Sequence, residues 1–210
     1  MLYRSTRGEQ PSVPFETALL SAYASDGGLF VPEFIPHFSA EVLLSWTTLS
    51  MAEICARVMQ PFVDLPLAQL DELTSAAFRT FNGGKIPPLP LRRIDGTWLL
   101  ETGNGPTLAF KDVGQQVVAR LLSLYLSRRG EHANVIVETS GDTGPAAIAA
   151  VAKLPGLDIW CLYPEGRTSE VQELQMITVD APNVHVFQTE GDTDEQAEAL
   201  KLSACIRRTC

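Results

Sequence analysis

"NVIVETSGDTGPAAIAAVAKLPGLDIWCLYP", residues 134–164, decides the fold. It opens on a short β-branched run, Val135–Val137, of the kind that a parallel sheet buries. A glycine-containing loop over residues 139–144 leads from it into a helix of small residues, "PAAIAAVAKL". A second apolar run, "LDIWCLYP" (157–164), follows as the next strand. Strand, loop, helix and strand in that order describe a parallel sheet with helices on its faces.

The pattern continues on both sides. Downstream, "SEVQELQMIT" (169–178) is helical, "NVHVFQTE" (183–190) extended and "DTDEQAEALKLSACIRR" (192–208) helical. Upstream, a helix is expected from Lys111 to Arg129. It carries Val113, Val117, Leu121, Leu124 and Tyr125 on a common side and ends at Gly130. Before it, "PLRRI" and "TWLLE" flank Asp95-Gly96, a hairpin signal. Counting "TWLLE" as the first strand, strand and helix alternate about four times from residue 98 onward.

Residues 1 to about 80 read differently. "FETALLSAYA" (15–24) places Phe15, Leu19, Ala22 and Tyr23 on one helical face. "SDGGLFVPEFIP" (25–36) is a turn and a short extended piece, because Asp-Gly-Gly and two prolines forbid a helix. Helices are expected again at "SAEVLLSW", "MAEICARVMQPF" and "LAQLDELTSAAFRTF". "NGGKIPPLPL" (82–91) then breaks the pattern and marks a domain boundary, giving domains at 1–90 and 91–210.

Composition narrows the functional classes. The 210 residues are 45% hydrophobic and 20% charged, which suits a packed core. The net charge of -9 and the lack of any dense Lys/Arg run argue against nucleic acid. No apolar run approaches membrane-spanning length, so no membrane partner is expected. The N-terminus has no apolar core of a signal peptide. Cys55, Cys161, Cys205 and Cys210 show no CxxC spacing and read as free thiols of a cytoplasmic protein. His37, His132 and His185 are scattered, so no metal site is expected. "NGGKI" lacks the upstream glycine and the Ser/Thr of a phosphate loop, which leaves Lys85 a loop charge. Ser169 reads as an N-cap.

Two loops carry candidate chemistry. In open α/β sheets ligands collect at the carboxyl ends of strands. "GNGPTLAFKD" (103–112) and "TSGDTG" (139–144) both occupy such positions and both run into helix N-termini. Together they bring Lys111 and several backbone N–H groups to one sheet edge. An amine among helix N-termini in an apolar pocket has its charged form disfavoured, as a lysine that attacks carbonyl groups requires. N–H groups at a helix start suit a carboxylate or phosphate. The plainer alternatives stand beside this reading. Lys111 is then a solvated helix-start lysine, and the second loop a turn capped by Asp142 or Thr143.

At these loops the sequence resembles threonine synthase, and more closely the threonine synthase-like proteins, of the tryptophan-synthase-β-like pyridoxal-phosphate (PLP) enzymes. The matching stretches are "YRSTRG" (3–8), "DGGLFVPEFIP" (26–36), "GPTLAFKD" (105–112), "TSGDTGPAA" (139–147), "LYPEGRTSEVQELQM" (162–176) and "NVHVFQTEG" (183–191). They occur in the family's order over nearly the whole chain. The resemblance implies an α/β fold: a helical N-terminal domain, then an incomplete doubly wound parallel sheet that binds PLP. It implies that Lys111 holds the cofactor covalently and that Phe110 packs beside it. Asp112 would start the helix. Ser140, Gly141, Asp142, Thr143 and Gly144 would close over the substrate carboxylate, with Asp142 also bordering the cofactor. The implied substrates are O-phosphorylated amino acids such as O-phosphohomoserine, and the implied activity a carbon–oxygen lyase releasing phosphate. A serine/threonine dehydratase is a neighbouring alternative, disfavoured by "STRG" and by the Asp after Lys111.

The sequence departs from the family in three places. Gly103 and Asn104 stand where a large apolar or aromatic residue and a His are usual. Glu165 stands where a basic residue is common. Family chains are about twice as long, and "LKLSACIRRTC" (200–210) does not match them. The alternative expectation is therefore a catalytically inactive truncated isoform that acts, if at all, by binding.

Overall fold

The computed structural model describes residues 1–21 and 23–191. The helix expected over 192–208 and the position of Ala22 lie outside the described residues. The chain forms two compact units, Met1–Arg79 and Thr80–Cys210. The glycine- and proline-rich run 82–91 therefore lies within the second.

The first unit contains β1 (Leu2–Ser5), β2 (Val13–Pro14), α1 (Phe15–Ser21), β3 (Phe30–Pro32), α2 (Ala40–Ser45), α3 (Met51–Met59) and α4 (Leu67–Phe78). Its helices fall where apolar periodicity places them. The short extended piece expected within 25–36 is β3, and it joins β1 and β2, which the helical reading of this region did not include, in a small antiparallel sheet in the order β2-β1-β3. In β1 the burial alternates, with Tyr3 and Ser5 buried and Leu2 and Arg4 exposed. Four residues are too few for that alternation to be legible in sequence.

Asp26 locks this sheet. Its carboxylate accepts hydrogen bonds from Ser5 Oγ (2.7 Å), Gly28 N (2.8 Å) and Glu9 N (3.1 Å). The Ser5 hydrogen bond is the foremost cause holding its pKa below the usual carboxylate value. A Cβ on Gly28 would sit 2.2 Å from Ser5 Oγ, so only glycine fits there. "STRG" and "DGGLF" thus meet each other, which gives both motifs a structural job. In the helical hairpin, Ser50 and Glu53 close a reciprocal capping box at the start of α3. The buried Thr74 hydroxyl of α4 reaches the Ala52 carbonyl of α3 at 2.9 Å, among Ala56, Leu70, Leu73 and Phe78.

The second unit begins with a tight turn at Phe81–Gly84, where Asn82, Gly83 and Gly84 hold left-handed φ values of 51°, 62° and 81°, followed by β4 (Leu91–Ile94) and β5 (Thr97–Leu100). These two strands pair antiparallel around Asp95-Gly96, whose φ values of 46° and 86° suit a two-residue hairpin turn. Thr97–Leu100, counted above as the first strand of the parallel sheet, lies in this separate two-stranded sheet. A two-residue connection permits only antiparallel pairing. The parallel sheet starts later, with β6 (Ala133–Glu138), β7 (Leu157–Pro164) and β8 (Val184–Thr189) in that order. They are joined by α6 (Thr143–Val151) and α7 (Glu170–Ile177), and preceded by α5 (Lys111–Arg129).

Consecutive parallel strands with right-handed crossovers put α6 and α7 on the same side of the sheet. Val135 and Val137 of β6 line a groove with α5 and α6, so α5 covers that side too. Leu157, Ile159, Cys161 and Tyr163 of β7 are buried. In the alternate registers Ile136, Trp160 and Phe187 stay 41%, 38% and 46% exposed, with Trp160 stacked on His185 and Phe187. Among the described residues the strands are thus buried on one face, the half of a doubly wound architecture that α5, α6 and α7 cover.

α5 spans the expected residues and ends on Gly130 at φ 63°. Its buried stripe differs from the apolar one. Leu121 and Tyr125 are buried, but Val113, Val117 and Leu124 are only partly so. The stripe instead runs through Asp112, Gln116, Ala119, Ser123 and Leu126. The polar members are hydrogen-bonded, Ser123 Oγ to the Pro155 carbonyl at 2.7 Å and Gln116 Oε1 from Arg120 at 2.6 Å. Apolar periodicity cannot reveal a face whose buried residues are satisfied polar ones.

Candidate active site

The second loop is organised by the side chain that precedes it. Thr139 is buried at the end of β6. Its Oγ1 accepts from Gly141 N and Gly144 N, both at 3.1 Å, and donates to the Gly141 carbonyl at 3.2 Å. This folds residues 139–144 into a tight turn that delivers Thr143 to the start of α6. Pro145 sits in the first helical turn, where its missing N–H costs no intrahelical bond. Gly144 is buried and has no room for a side chain. A Cβ there would lie 2.5 Å from Thr139 Cγ2, 2.7 Å from Met176 Sδ and 3.0 Å from Cys161 Sγ. Met176 is flexible, but Thr139 is β-branched and already committed. Gly144→Ala is therefore expected to lower the unfolding free energy by about 1–3 kcal/mol, as overpacking does. Urea denaturation checks this, and an unchanged midpoint would show that the turn relaxes freely.

The first loop is folded by Asp112. Its fully buried carboxylate accepts from Thr107 N at 2.9 Å and Thr107 Oγ1 at 2.8 Å. α5 has no side-chain cap at Phe110, and its start is closed by this bond pair and by Asp112 N donating to the Ala109 carbonyl at 3.1 Å. Asn104, at a departure from the family pattern, donates to the Glu101 carbonyl at 3.1 Å. α7 touches both loops. Gln175 Nε2 donates to the Thr107 carbonyl at 3.2 Å, and a Cβ on Gly141 would lie 3.3 Å from the Gln172 amide.

The two loops meet at Lys111. Its Nζ donates to Asp142 Oδ1 and to Thr143 Oγ1, both at 2.6 Å. The pair is half-exposed, at 31% for Lys111 and 41% for Asp142. Phe110 presents its ring 5.9 Å from the same Nζ and is itself exposed. An open groove of about 360 Å³ runs from Phe110 and Lys111 past Val118 to Val135, Val137 and Ala147. Asp142 stands at the N-cap position of α6 without making any side-chain capping bond. The alternative that made this loop a capped turn is therefore not what its carboxylate does. An amine among N–H donors alone is also corrected, because a carboxylate faces it directly.

The remaining candidates scatter. Ser140 is exposed, and Gly141 and Thr143 are half-buried. Lys85 is exposed, 26 positions before Lys111 in sequence. Ser169 caps α7, accepting from Gln172 N at 3.4 Å. His132 lies 3.4 Å from Asp158. Among the described residues no group of three His, Cys, Asp or Glu side chains could hold a metal. Cys161 is buried, and that burial pushes its thiol up to about 12. Tyr163, raised to about 12 by burial first and then by its bond to Glu173, donates to Glu173 Oε1 at 2.8 Å. Sequence reasoning passed over Thr139, Gln172 and Gln175, which shape the site from its edges. The Gln-x-x-Gln spacing, which sets Gln172 and Gln175 on one helix face, is the signal that could have found the two glutamines.

Similarity to known proteins follows the same layout. Residues 2–78 match the family described as the threonine synthase N terminus, so the match ends within a residue of the first unit's boundary. Threonine synthase from Pseudomonas aeruginosa is 42% identical over 206 residues, covering 97% of this chain and 44% of that protein. Human threonine synthase-like 2 is 43% identical, covering 96% of this chain and 42% of that protein. The crystal structure of PLP-bound threonine synthase from Brucella melitensis superposes with a TM-score of 0.89 at 40% identity, covering 96% of this chain and 44% of that one. The chain thus spans less than half the length of the relatives it matches.

Proposed function

We propose that this chain, a relative of threonine synthases over nearly its whole length, holds pyridoxal phosphate on Lys111 and serves a carbon–oxygen lyase that releases phosphate from O-phosphorylated amino acids. One observation carries the reading. Lys111 Nζ leaves its own helix to meet Asp142 and Thr143 at 2.6 Å, at the mouth of an apolar groove. An ion pair with Asp142 alone would also hold the amine; the groove opening beside it and the exposed Phe110 ring are what favour a ligand there.

The residues present fit the cofactor. The exposed Phe110 ring beside Nζ offers a face for a planar heterocycle. When bound, PLP supplies an electron sink for the bond-breaking at the substrate. The protein supplies the rest. Asp142 Oδ1 and Thr143 Oγ1 fix Nζ from one side, so the amine has one direction in which to move a proton. The N–H groups of Gly141 and Gly144 are held by Thr139, so those of Ser140, Asp142 and Thr143, at the start of α6, receive the substrate carboxylate. Thr139 keeps those N–H groups in place.

The test is trapping. Purified chain mixed with PLP and reduced with borohydride is expected to carry the label on Lys111, read by peptide mass spectrometry. Label on Lys85 instead, or on no lysine, would sink the assignment.

The lack of any CxxC spacing among the four cysteines favours a reducing, cytoplasmic location. Among the described residues no helix is long and apolar enough to cross a membrane, and the acidic composition favours neither nucleic acid nor anionic lipid. A second reading, a catalytically silent protein that acts by binding, is favoured by the uncovered sheet face at Ile136, Trp160 and Phe187. Phosphate release from O-phosphohomoserine by residues 1–210 separates the two: turnover at enzymatic rates supports the first reading, and silence with PLP bound supports the second.

A further inference from the structure

Asp112 is the only buried carboxylate among the described residues. Burying an ionised carboxylate is costly unless hydrogen bonds compensate. Its neighbour in sequence is an ammonium, yet that ammonium pairs with Asp142 instead. Asp112 is therefore not the counter-ion of Lys111. Both of its oxygens go to Thr107, one to the amide and one to the hydroxyl. Thr107 in turn is tied through its carbonyl to Gln175 on α7. All three polar groups of Thr107 are thus engaged, and the start of α5 is linked to α7 through it.

The loop between Thr107 and Lys111 is folded under constraint. A Cβ on Gly105 would lie 2.4 Å from Asp112 Oδ2, so the chain passes the carboxylate at a distance only glycine permits. Leu108 holds φ at 64°, a left-handed conformation that a branched side chain adopts at a cost. Leu108 is 71% exposed, so packing of its side chain does not impose that conformation. The hydrogen bonds of the loop do: Leu108 N donates to the Gly105 carbonyl at 3.2 Å, and the Asp112–Thr107 bond pair draws the loop back over the helix start.

We propose that Asp112 is a positioning residue for Lys111, acting through Thr107 to fix the first turn of α5 and so to hold Nζ at the mouth of the groove. The inference rests on the reading of Lys111 as the cofactor-bearing lysine. α5 lacks a capping side chain, and without the bond pair its first turn is free to unwind and carry Lys111 away. Geometry, not charge, is what Asp112 supplies. An asparagine satisfies the same two groups, accepting from Thr107 N while its amide donates to a rotated Thr107 hydroxyl. Alanine satisfies neither.

The experiment is reductive trapping of PLP on residues 1–210, read as the ratio of label at Lys111 to label at the exposed Lys85 in the same molecule. Unfolding would also level the two lysines, so the ratio is read well below the melting temperature of each variant's cofactor-free chain, which is recorded beside it. Asp112→Ala and Thr107→Val are each expected to lower the ratio about tenfold, the scale of losing a buried hydrogen bond to a charged group. The double variant should fall no further than Asp112→Ala alone, because the two residues act as one unit. Asp112→Asn should stay within about threefold of the unsubstituted chain, since it keeps both partners. An unchanged ratio in Asp112→Ala, a loss in Asp112→Asn as deep as in Asp112→Ala, or multiplying losses in the double variant would each overturn the proposal. If Asp112→Ala fails to fold, Thr107→Val decides by the same ratio. Should the unsubstituted chain label Lys111 no faster than Lys85, the reading of Lys111 fails and this inference with it, an outcome distinct from failure of the Asp112 variants alone.

Discussion

Replacing Lys111 by arginine is expected to leave the chain folded and to remove its covalent attachment to PLP altogether. The guanidinium keeps the positive charge that Asp142 pairs with, and its reach is similar. It is never deprotonated near neutral pH and so cannot attack a carbonyl. The cost in stability is expected to be small. Lys111 and Asp142 are about a third exposed or more, and ion pairs so open to solvent contribute about 0–1 kcal/mol. The melting temperature should move by no more than a few degrees, while visible absorbance of the lysine-bound cofactor and borohydride-stable label at residue 111 both vanish. Attachment that survives in Lys111→Arg, carried by another lysine, would show that the 2.6 Å contact with Asp142 is only a surface ion pair.

Much of the second unit was legible because its local signals are strong and agree. Asp95-Gly96 needs positive φ at both positions, and only a tight hairpin offers that. Gly130 marks the end of α5 for the same reason, and the apolar runs of β6 and β7 have no other stable use. The errors came where a residue's role depends on a distant partner. Thr97–Leu100 looks like any other strand, and only its short connection to Leu91–Ile94 assigns it to a separate sheet. Asp112, Gln116 and Ser123 are polar in sequence yet line the most buried stripe of α5, because Thr107, Arg120 and Pro155 satisfy them.

The site was legible as two loops but not as a pair of groups. Lys111 and Asp142 are 31 positions apart, and nothing local says that a carboxylate at a helix start will forgo the cap and turn to an amine. Thr139 was visible only as the first letter of "TSGDTG". Its three hydrogen bonds exist because β6 ends where it does and because Gly144 leaves the space. Such hubs are set by tertiary geometry, and a propensity scale ranks them as ordinary turn residues.

The sheet face opposite the helices gives the last expectation: residues 1–210, expressed alone, self-associate in a concentration-dependent way. Ile136, Trp160 and Phe187 stand 41%, 38% and 46% exposed on adjacent strands, and Leu162 lies beside them at an intermediate exposure. Fully burying such a side chain is worth about 1.5–3 kcal/mol, so covering the exposed part of each contributes about 1 kcal/mol. Two copies placed face to face gain on the order of 8 kcal/mol in this way, a gain of the same order as the loss of rotational and translational freedom, about 4–15 kcal/mol. Neither effect dominates, which argues for weak association and against a tight dimer. The edge of β6 adds to the tendency, since among the described residues it pairs only with β7 and leaves its other side open. Sizing with light scattering across a hundredfold range of concentration should show the mass rising. Trp160→Lys with Phe187→Lys should return the chain to a monomer, because two ammonium groups on each copy would face their counterparts at close range. A chain that stays monomeric at the highest concentration, or a double variant that associates as readily, would show that this face does not drive association.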